Sequence, residues 1–441
     1  MATLAVVLLT GMPGLPAGQE AVAAGTPGTY AFDEGAPRVE GALSTADAVQ
    51  LEAGRTYRST LPASGPVHYR LELDDTSSVY VSATAVPPGG GTAAVVDGVE
   101  VSVQDGDGRS CDVDTATFGA AASPHPVAAW AAREISPRRS LCKDAGTYYV
   151  AVERADPDGK GASPDAWALE LTTVSEPRSA QAGATAPPDA WNSASPEPVA
   201  GEARRRAGGA GFAEATPLGE GVWRDDIRPG QTLFYKVPVG WGRQFNATAE
   251  LGSSSSDGTG FVPAALDLDL YNPVRGHVAD MGVGYDGRQK SDSLAPLPPV
   301  AYANRHAPTG QVAAMRFAGS YYLVAHFAEK VADDFGDAPV PLTLRVRVSG
   351  AAQDGPGYAG EPVPADVFAV GEEDREAAAD GQAAGPGPGD GTAMTALAVG
   401  GIGTGSALLV GLGVWTVVAR RRAVSPHGKG SSWQGGFRGR P

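Results

Sequence analysis

Leu266-Asp267-Leu268-Asp269-Leu270-Tyr271 alternates apolar and polar residues without a break. Successive side chains of a strand point to opposite faces, so this run puts its leucines on one side of a sheet and its aspartates on the other. Val99-Glu100-Val101-Ser102-Val103 does the same earlier in the chain. Between such runs Gly, Pro, Asp and Asn cluster as turns require, and away from the two ends no stretch keeps a helical period for long. Short, half-buried strands separated by turns predict an all-β chain of antiparallel sandwiches of jelly-roll type.

The strand signals fall into two segments, 41–175 and 212–350, that repeat one another. Leu51-Glu52-Ala53-Gly54 leading to Tyr69-Arg70-Leu71 is answered by Leu218-Gly219-Glu220-Gly221 leading to Tyr235-Lys236-Val237. Ala145-Gly146-Thr147-Tyr148-Tyr149-Val150 is answered by Ala318-Gly319-Ser320-Tyr321-Tyr322-Leu323, and Leu169-Glu170-Leu171 by Leu342-Thr343-Leu344. The order and spacing read as an internal duplication of one module. Two low-complexity stretches flank the second copy. Residues 176–211 read as a linker, and 351–393, rich in Gly, Pro, Ala, Asp and Glu, as a disordered acidic stalk.

The ends of the chain differ from its middle. Residues 1–24, an apolar run followed by Ala21-Val22-Ala23-Ala24, predict a signal peptide. Met394 to Ala419 holds no charge over twenty-six residues. As a helix it would rise about 39 Å, enough to cross a hydrocarbon core of about 30 Å. Arg420, Arg421 and Arg422 follow at once and predict that the tail 420–441 stays on the cytoplasmic side. The expectation is a single-pass type I protein of the cell membrane with an extracellular ectodomain.

Composition narrows the role. With the six cations of the tail set aside, the net charge of −16 becomes −22, which argues against nucleic acid or anionic lipid as a partner of the ectodomain. Cys111 and Cys142 are the chain's two cysteines, and export predicts that they are bridged.

The Tyr-basic-apolar strands at Tyr69 and Tyr235, the Leu-Asp-Leu-x-Leu-Tyr-Asn-Pro strand at Leu266 to Pro273, and the Ala-Gly-Thr/Ser-Tyr-Tyr strands resemble the bacterial pre-peptidase C-terminal domain. The first copy departs at its middle strand, where Val101-Ser102-Val103-Gln104-Asp105-Gly106 replaces the Leu-Tyr-Asn-Pro pattern. The whole arrangement also resembles exported membrane proteins of high-GC Gram-positive bacteria. The resemblance implies a jelly-roll sandwich that binds carbohydrate, protein or calcium rather than one that catalyses.

Asp105, Asp107, Asp112 and Asp114 crowd one loop, spaced so that they could wrap a calcium ion. Arg109, Ser110 and Ala116 break the helix-loop-helix calcium pattern, and a solvated acidic turn is the expected reading. Alternation alone accounts for Asp267 and Asp269. Each pair Tyr148/Tyr149 and Tyr321/Tyr322 places one ring in the core and one on the outer face, where it could stack on a sugar; Trp130, Trp223 and Trp241 share that ambiguity. No His-Glu-x-x-His or Gly-x-Ser-x-Gly motif accompanies the six histidines. The expected function is therefore a membrane-anchored binding module, not an enzyme, for an envelope polysaccharide or another exported protein. The alternative is a subunit of, or an enzyme in, a secreted protease or export complex.

Overall fold

The structure, a computed structural model, describes residues 29–380 apart from 91, 92, 137, 138, 157–162, 182, 189 and 198. The expected signal peptide, membrane span and Arg420–Arg422 tail lie outside the described residues. Among the described residues no helix is long and apolar enough to cross a membrane.

The first module runs through β1 (Val49–Gln50), β2 (Thr56–Leu61), β3 (Val67–Leu73), β4 (Ser77–Val86), β5 (Gly98–Asp105), β6 (Ser110–Thr117), β7 (Val127–Arg133), β8 (Gly146–Arg154) and β9 (Trp167–Pro177). Its two sheets have the orders β2-β9-β4-β7 and β1-β3-β8-β5-β6. The second module contains β10 (Arg204–Arg205), β11 (Thr216–Pro217), β12 (Gly221–Ile227), β13 (Thr232–Val239), β14 (Gln244–Leu251), β15 (Val262–Tyr271), β16 (His277–Tyr285) and β17 (Lys290–Ser293). It continues with α1 (Gly310–Ala314), β18 (Gly319–Phe327), α2 (Val331–Phe335) and β19 (Val340–Ser349), and α3 (Glu372–Asp380) follows. Its sheets are β10-β12-β19-β14-β17 and β11-β13-β18-β15-β16. Leaving aside the short β1, β10 and β11, each module is an eight-stranded pair of four-stranded sheets in jelly-roll order.

The duplication extends to individual hydrogen bonds. Val49 of β1 lies opposite Tyr69, and Thr216 of β11 opposite Tyr235, in parallel pairs of the same register. The Tyr69 hydroxyl reaches Ser59 Oγ at 2.7 Å and the Tyr235 hydroxyl donates to Asp225 at 2.9 Å, each ten residues back on the facing sheet. The hydroxyls of Tyr148 and Tyr321 each donate to the carbonyl four residues earlier, at 2.7 and 2.8 Å.

Each sandwich encloses its own core. Leu61, Tyr69, Val81, Val101, Val150 and Leu169 are among the residues that fill the first, and Trp223, Tyr235, Leu266, Leu268, Leu270 and Leu344 among those that fill the second. The strand β4 has a second buried face, and β15 a half-buried one. Outward residues of β4, β7 and β9 (Tyr80, Val86, Ala128, Ala132, Val174) pack against outward residues of the second module (Phe234, Tyr271, Val274, Phe317, Val324). The outer face of β2-β9-β4-β7 is thus docked on the outer face of β11-β13-β18-β15-β16. That is why the ten residues of β4 carry no charge and only its first is not fully buried.

Two stretches expected to be separate from the fold are joined to it. Glu176 and Pro177 complete β9, Arg204 and Arg205 form β10, and Gly209 exchanges backbone hydrogen bonds with Phe234. In the expected stalk, Val363 pairs with Ser175 and Tyr358 with Ser179, while Phe368 is buried with its ring stacked on Phe317 at 4.9 Å. Residues 351–380 therefore form a strap across both modules. Tyr358, Val363 and Phe368 supply anchors that an average over Gly, Pro and acids conceals. A β-carbon on Gly319 would lie 2.4 Å from the Val367 carbonyl oxygen, so the strap's close approach requires glycine there.

Candidate binding site

The four aspartates of the acidic loop do not converge. Asp105 Oδ1 accepts from the backbone N–H groups of Asp107 and Arg109 at 3.0 and 2.9 Å, and Arg109 pairs with both Asp105 and Asp107. The same turn recurs in the second module, where Asn272 Oδ1 accepts from Val274 and Gly276 at 3.1 and 2.9 Å. The fourth residue of each turn, Gly108 or Arg275, has a left-handed backbone. Asp105 thus stands where Asn272 does, and the departure of the first copy from the Asn-Pro pattern preserves the geometry. Asp112 and Asp114 face away from the turn. Their carboxylates accept from Ala132 and Trp130 at 3.0 and 3.1 Å, capping the free edge of β7. Cys111 and Cys142 are bridged, with Cα atoms 5.7 Å apart.

The tyrosine pairs divide between inner and outer rings. Tyr148 and Tyr321 are buried. Tyr149 is half-buried on the outer face of β8. Tyr322 meets Phe212 edge-on at 5.1 Å inside the module interface and presents no stacking face. Trp130 also belongs to that interface, stacked on Tyr80 at 5.7 Å, and Trp223 is buried beneath the guanidinium of Arg204, 4.0 Å from its ring.

Across the interface three glutamates of the first module meet three arginines of the second. Glu170 pairs with Arg275, Glu176 with Arg305 at 2.7 Å, and Glu134 with Arg316 at 2.6 Å. Tyr30 donates to Glu170 at 2.9 Å, and Tyr80 and Tyr358 donate to Glu176 at 2.7 and 3.0 Å. Buried carboxylates are tolerated when paired and hydrogen-bonded in this way. Nothing in the sequence marks them, because the alternation of Leu169-Glu170-Leu171 looks like that of any strand with one wet face. At another edge of the interface His125 stacks on His326 at 4.3 Å. Burial pushes the titration of both rings down, and the proximity of His125 pushes His326 further. On the facing strand, burial and then the charges of Asp269 and Asp280 push Asp267 up to about 8, against a smaller opposing pull from His277.

A cleft of about 640 Å³ opens between the second module and the strap. Its apolar floor is Val237, Val348 and half-buried Trp241, and Ala378 of α3 closes one side. Arg204, Arg243 and Arg375 stand on its rim. Arg204 donates to the Ala379 carbonyl at 3.2 Å, Arg243 to that of Gly350, and Arg375 to that of Val370 at 3.0 Å. Among the described residues none of the three forms an ion pair with a carboxylate, so the rim holds three cations in an acidic protein, with Glu220 as the acid beside them. The Arg204-Arg205-Arg206 run, expected within a linker, builds part of this wall, and Arg206 also donates to the Ala379 carbonyl at 3.3 Å. Arginines at the carboxyl end of α3 suit its exposed carbonyls.

No family model matches the sequence, and no curated protein matches it. Among solved structures the chain is similar to the tandem family 51 carbohydrate-binding modules of a family 98 glycoside hydrolase from Streptococcus pneumoniae, at 8% identity over 70% of this chain and 88% of that one, with a TM-score of 0.17. It is similar to the tandem family 22 carbohydrate-binding modules of a Paenibacillus barcinonensis protein, at 9% identity over 68% and 88%, with a TM-score of 0.18. It is similar to the ANXUR2 extracellular domain of Arabidopsis thaliana, at 8% identity over 68% and 86%, with a TM-score of 0.17. At such scores none of these likenesses adds to what the strand order establishes.

Proposed function

We propose that this chain is a membrane-anchored extracellular binding protein, without catalytic activity, whose cleft beside Trp241 takes an acidic polysaccharide of the cell envelope. The cleft carries the reading: an aromatic face for the apolar side of a sugar ring, with Arg204, Arg243 and Arg375 placed for carboxylate or phosphate groups. A disulfide fits an oxidising, exported setting, and the uncharged stretch from Met394 with Arg420, Arg421 and Arg422 behind it serves as the anchor. Membership of the pre-peptidase C-terminal family belongs to the same proposal.

The test is retention of the full chain on an immobilised uronate- or phosphate-bearing polysaccharide, compared with a neutral glucan. Retention on the acidic matrix is expected to fall at least about tenfold in Trp241→Ala and in Arg243→Gln/Arg375→Gln, and to weaken with salt. Equal retention on both matrices, or variants that bind like the parent, would overturn the proposal.

A further inference from the structure

Asp267 and Asp269 project from β15 towards the first module rather than into solvent. Asp269 lies opposite Asp280 on β16, a like-charge neighbour that destabilises a sheet, and His277 reaches the Asp269 carboxylate at 3.2 Å. Among the described residues the Asp267 side chain forms no ion pair, and its hydrogen-bond donor is the backbone N–H of Leu268. Facing the two aspartates is His125, from the segment that leads into β7, with only 4% of its surface exposed. A ring nitrogen of His125 and one oxygen of each carboxylate lie within 4.8 Å of one another.

The tautomer of His125 follows from its neighbours. Nδ1 sits 2.8 Å from the Ser123 carbonyl oxygen, which can only accept, so Nδ1 carries the proton and Nε2 keeps its lone pair. No hydrogen bond in the described structure uses Nε2. A carbonyl bound to one imidazole nitrogen while the other is left free is the usual support of a metal-ligating histidine. Ser123 is fixed in turn: its hydroxyl bonds His326 Nε2 at 2.9 Å and accepts from the Glu329 N–H at 3.1 Å. Bonds of about 2.0–2.2 Å to nitrogen and oxygen put tetrahedral ligands roughly 3.4 Å apart, so the three side chains need to close by about an ångström.

We propose that His125, Asp267 and Asp269 form a site for a zinc-class divalent ion that bridges the two modules, with water in the remaining coordination. One imidazole nitrogen with two carboxylates favours zinc and its neighbours over calcium or magnesium, which prefer oxygen alone. The ion replaces carboxylate repulsion on the outer face of β15 with attraction to the first module. It thereby clamps an interface otherwise held by apolar packing and arginine pairs.

The test uses the full chain, stripped with chelator and dialysed against zinc at neutral pH. One zinc per chain is expected, with a rise in melting temperature that magnesium does not produce and chelator reverses. Asp267→Asn and His125→Gln are each expected to weaken binding at least about tenfold. Asp267→Asn keeps the shape of the side chain while removing its carboxylate, so it is expected to fold and decides the matter should the histidine variant not. Failure of the parent to retain zinc, or retention by Asp267→Asn equal to that of the parent, would overturn the proposal.

Discussion

Glu170 on β9 and Arg275 in the turn after β15 form an ion pair sealed between the two modules, with neither side chain more than 9% exposed. Arg275 holds a left-handed backbone, φ 60°, and its guanidinium lies 4.8 Å from the Phe212 ring centre. Breaking a buried pair by removing one partner leaves the other charge desolvated, at a cost of about 3–5 kcal/mol. Arg275→Ala should therefore lower stability by that amount in denaturant titrations, and Glu170→Gln by less, since the amide still accepts from Tyr30. The double variant Glu170→Leu/Arg275→Met should lose less than the sum of the two single changes, because it leaves no buried charge unpaired.

A second pair makes docking depend on acidity. Burial alone pushes the Glu134 carboxyl up, but Arg316, and after it Arg139 and Arg305, pull it lower still, so its net shift is downward. A carboxyl whose titration is lowered by folding stabilises the native state above its unfolded value of about 4.3, and that contribution disappears as acidification passes the folded value. Unfolding free energy measured from neutral pH down to about pH 3 should fall more steeply in the parent than in Glu134→Gln. Equal slopes would show that the pair contributes nothing.

The strap should behave as part of the fold. Truncating a buried phenylalanine costs about 3–5 kcal/mol when the whole side chain is enclosed, and Phe368 stacks on Phe317 next to Trp130 and Tyr80. Phe368→Ala should free the strap before either sandwich unfolds. Limited proteolysis would then cut within residues 354–370 of the variant while sparing the parent; equal resistance would mean that the strap is held by its backbone pairs alone.

How much of this was legible depended on which face a residue served. Alternation located the leucines of β15 and the repeat located its counterpart β5, because inner faces obey a period that sequence displays directly. Docking of the outer faces left no such period. Asp267 alternates as a solvated residue would, and only the charge-free run of β4 hinted at a strand covered on both sides. The Asp105 loop was legible in part: the broken calcium pattern points to an acidic turn, and Asp105 closes one, but strand geometry sends Asp112 and Asp114 to the edge of β7. The strap was hidden because three anchors suffice to hold thirty residues of otherwise loop-like composition.

The way the modules meet joins unlike surfaces of two similar units, a head-to-tail contact that, repeated, would run on without closing. The places where the copies differ withhold the matching charges from the faces left over. The turn position held by Arg275 is Gly108 in the first module, which offers no guanidinium to another molecule's glutamate. The position of Glu170, opposite Arg58 on β2, is Thr343, opposite Arg224 on β12, which offers no carboxylate to another molecule's arginine. The duplicated fold has thus kept one half of the lock on each copy, so that among the described residues every glutamate–arginine pair between the modules takes its acid from the first and its base from the second.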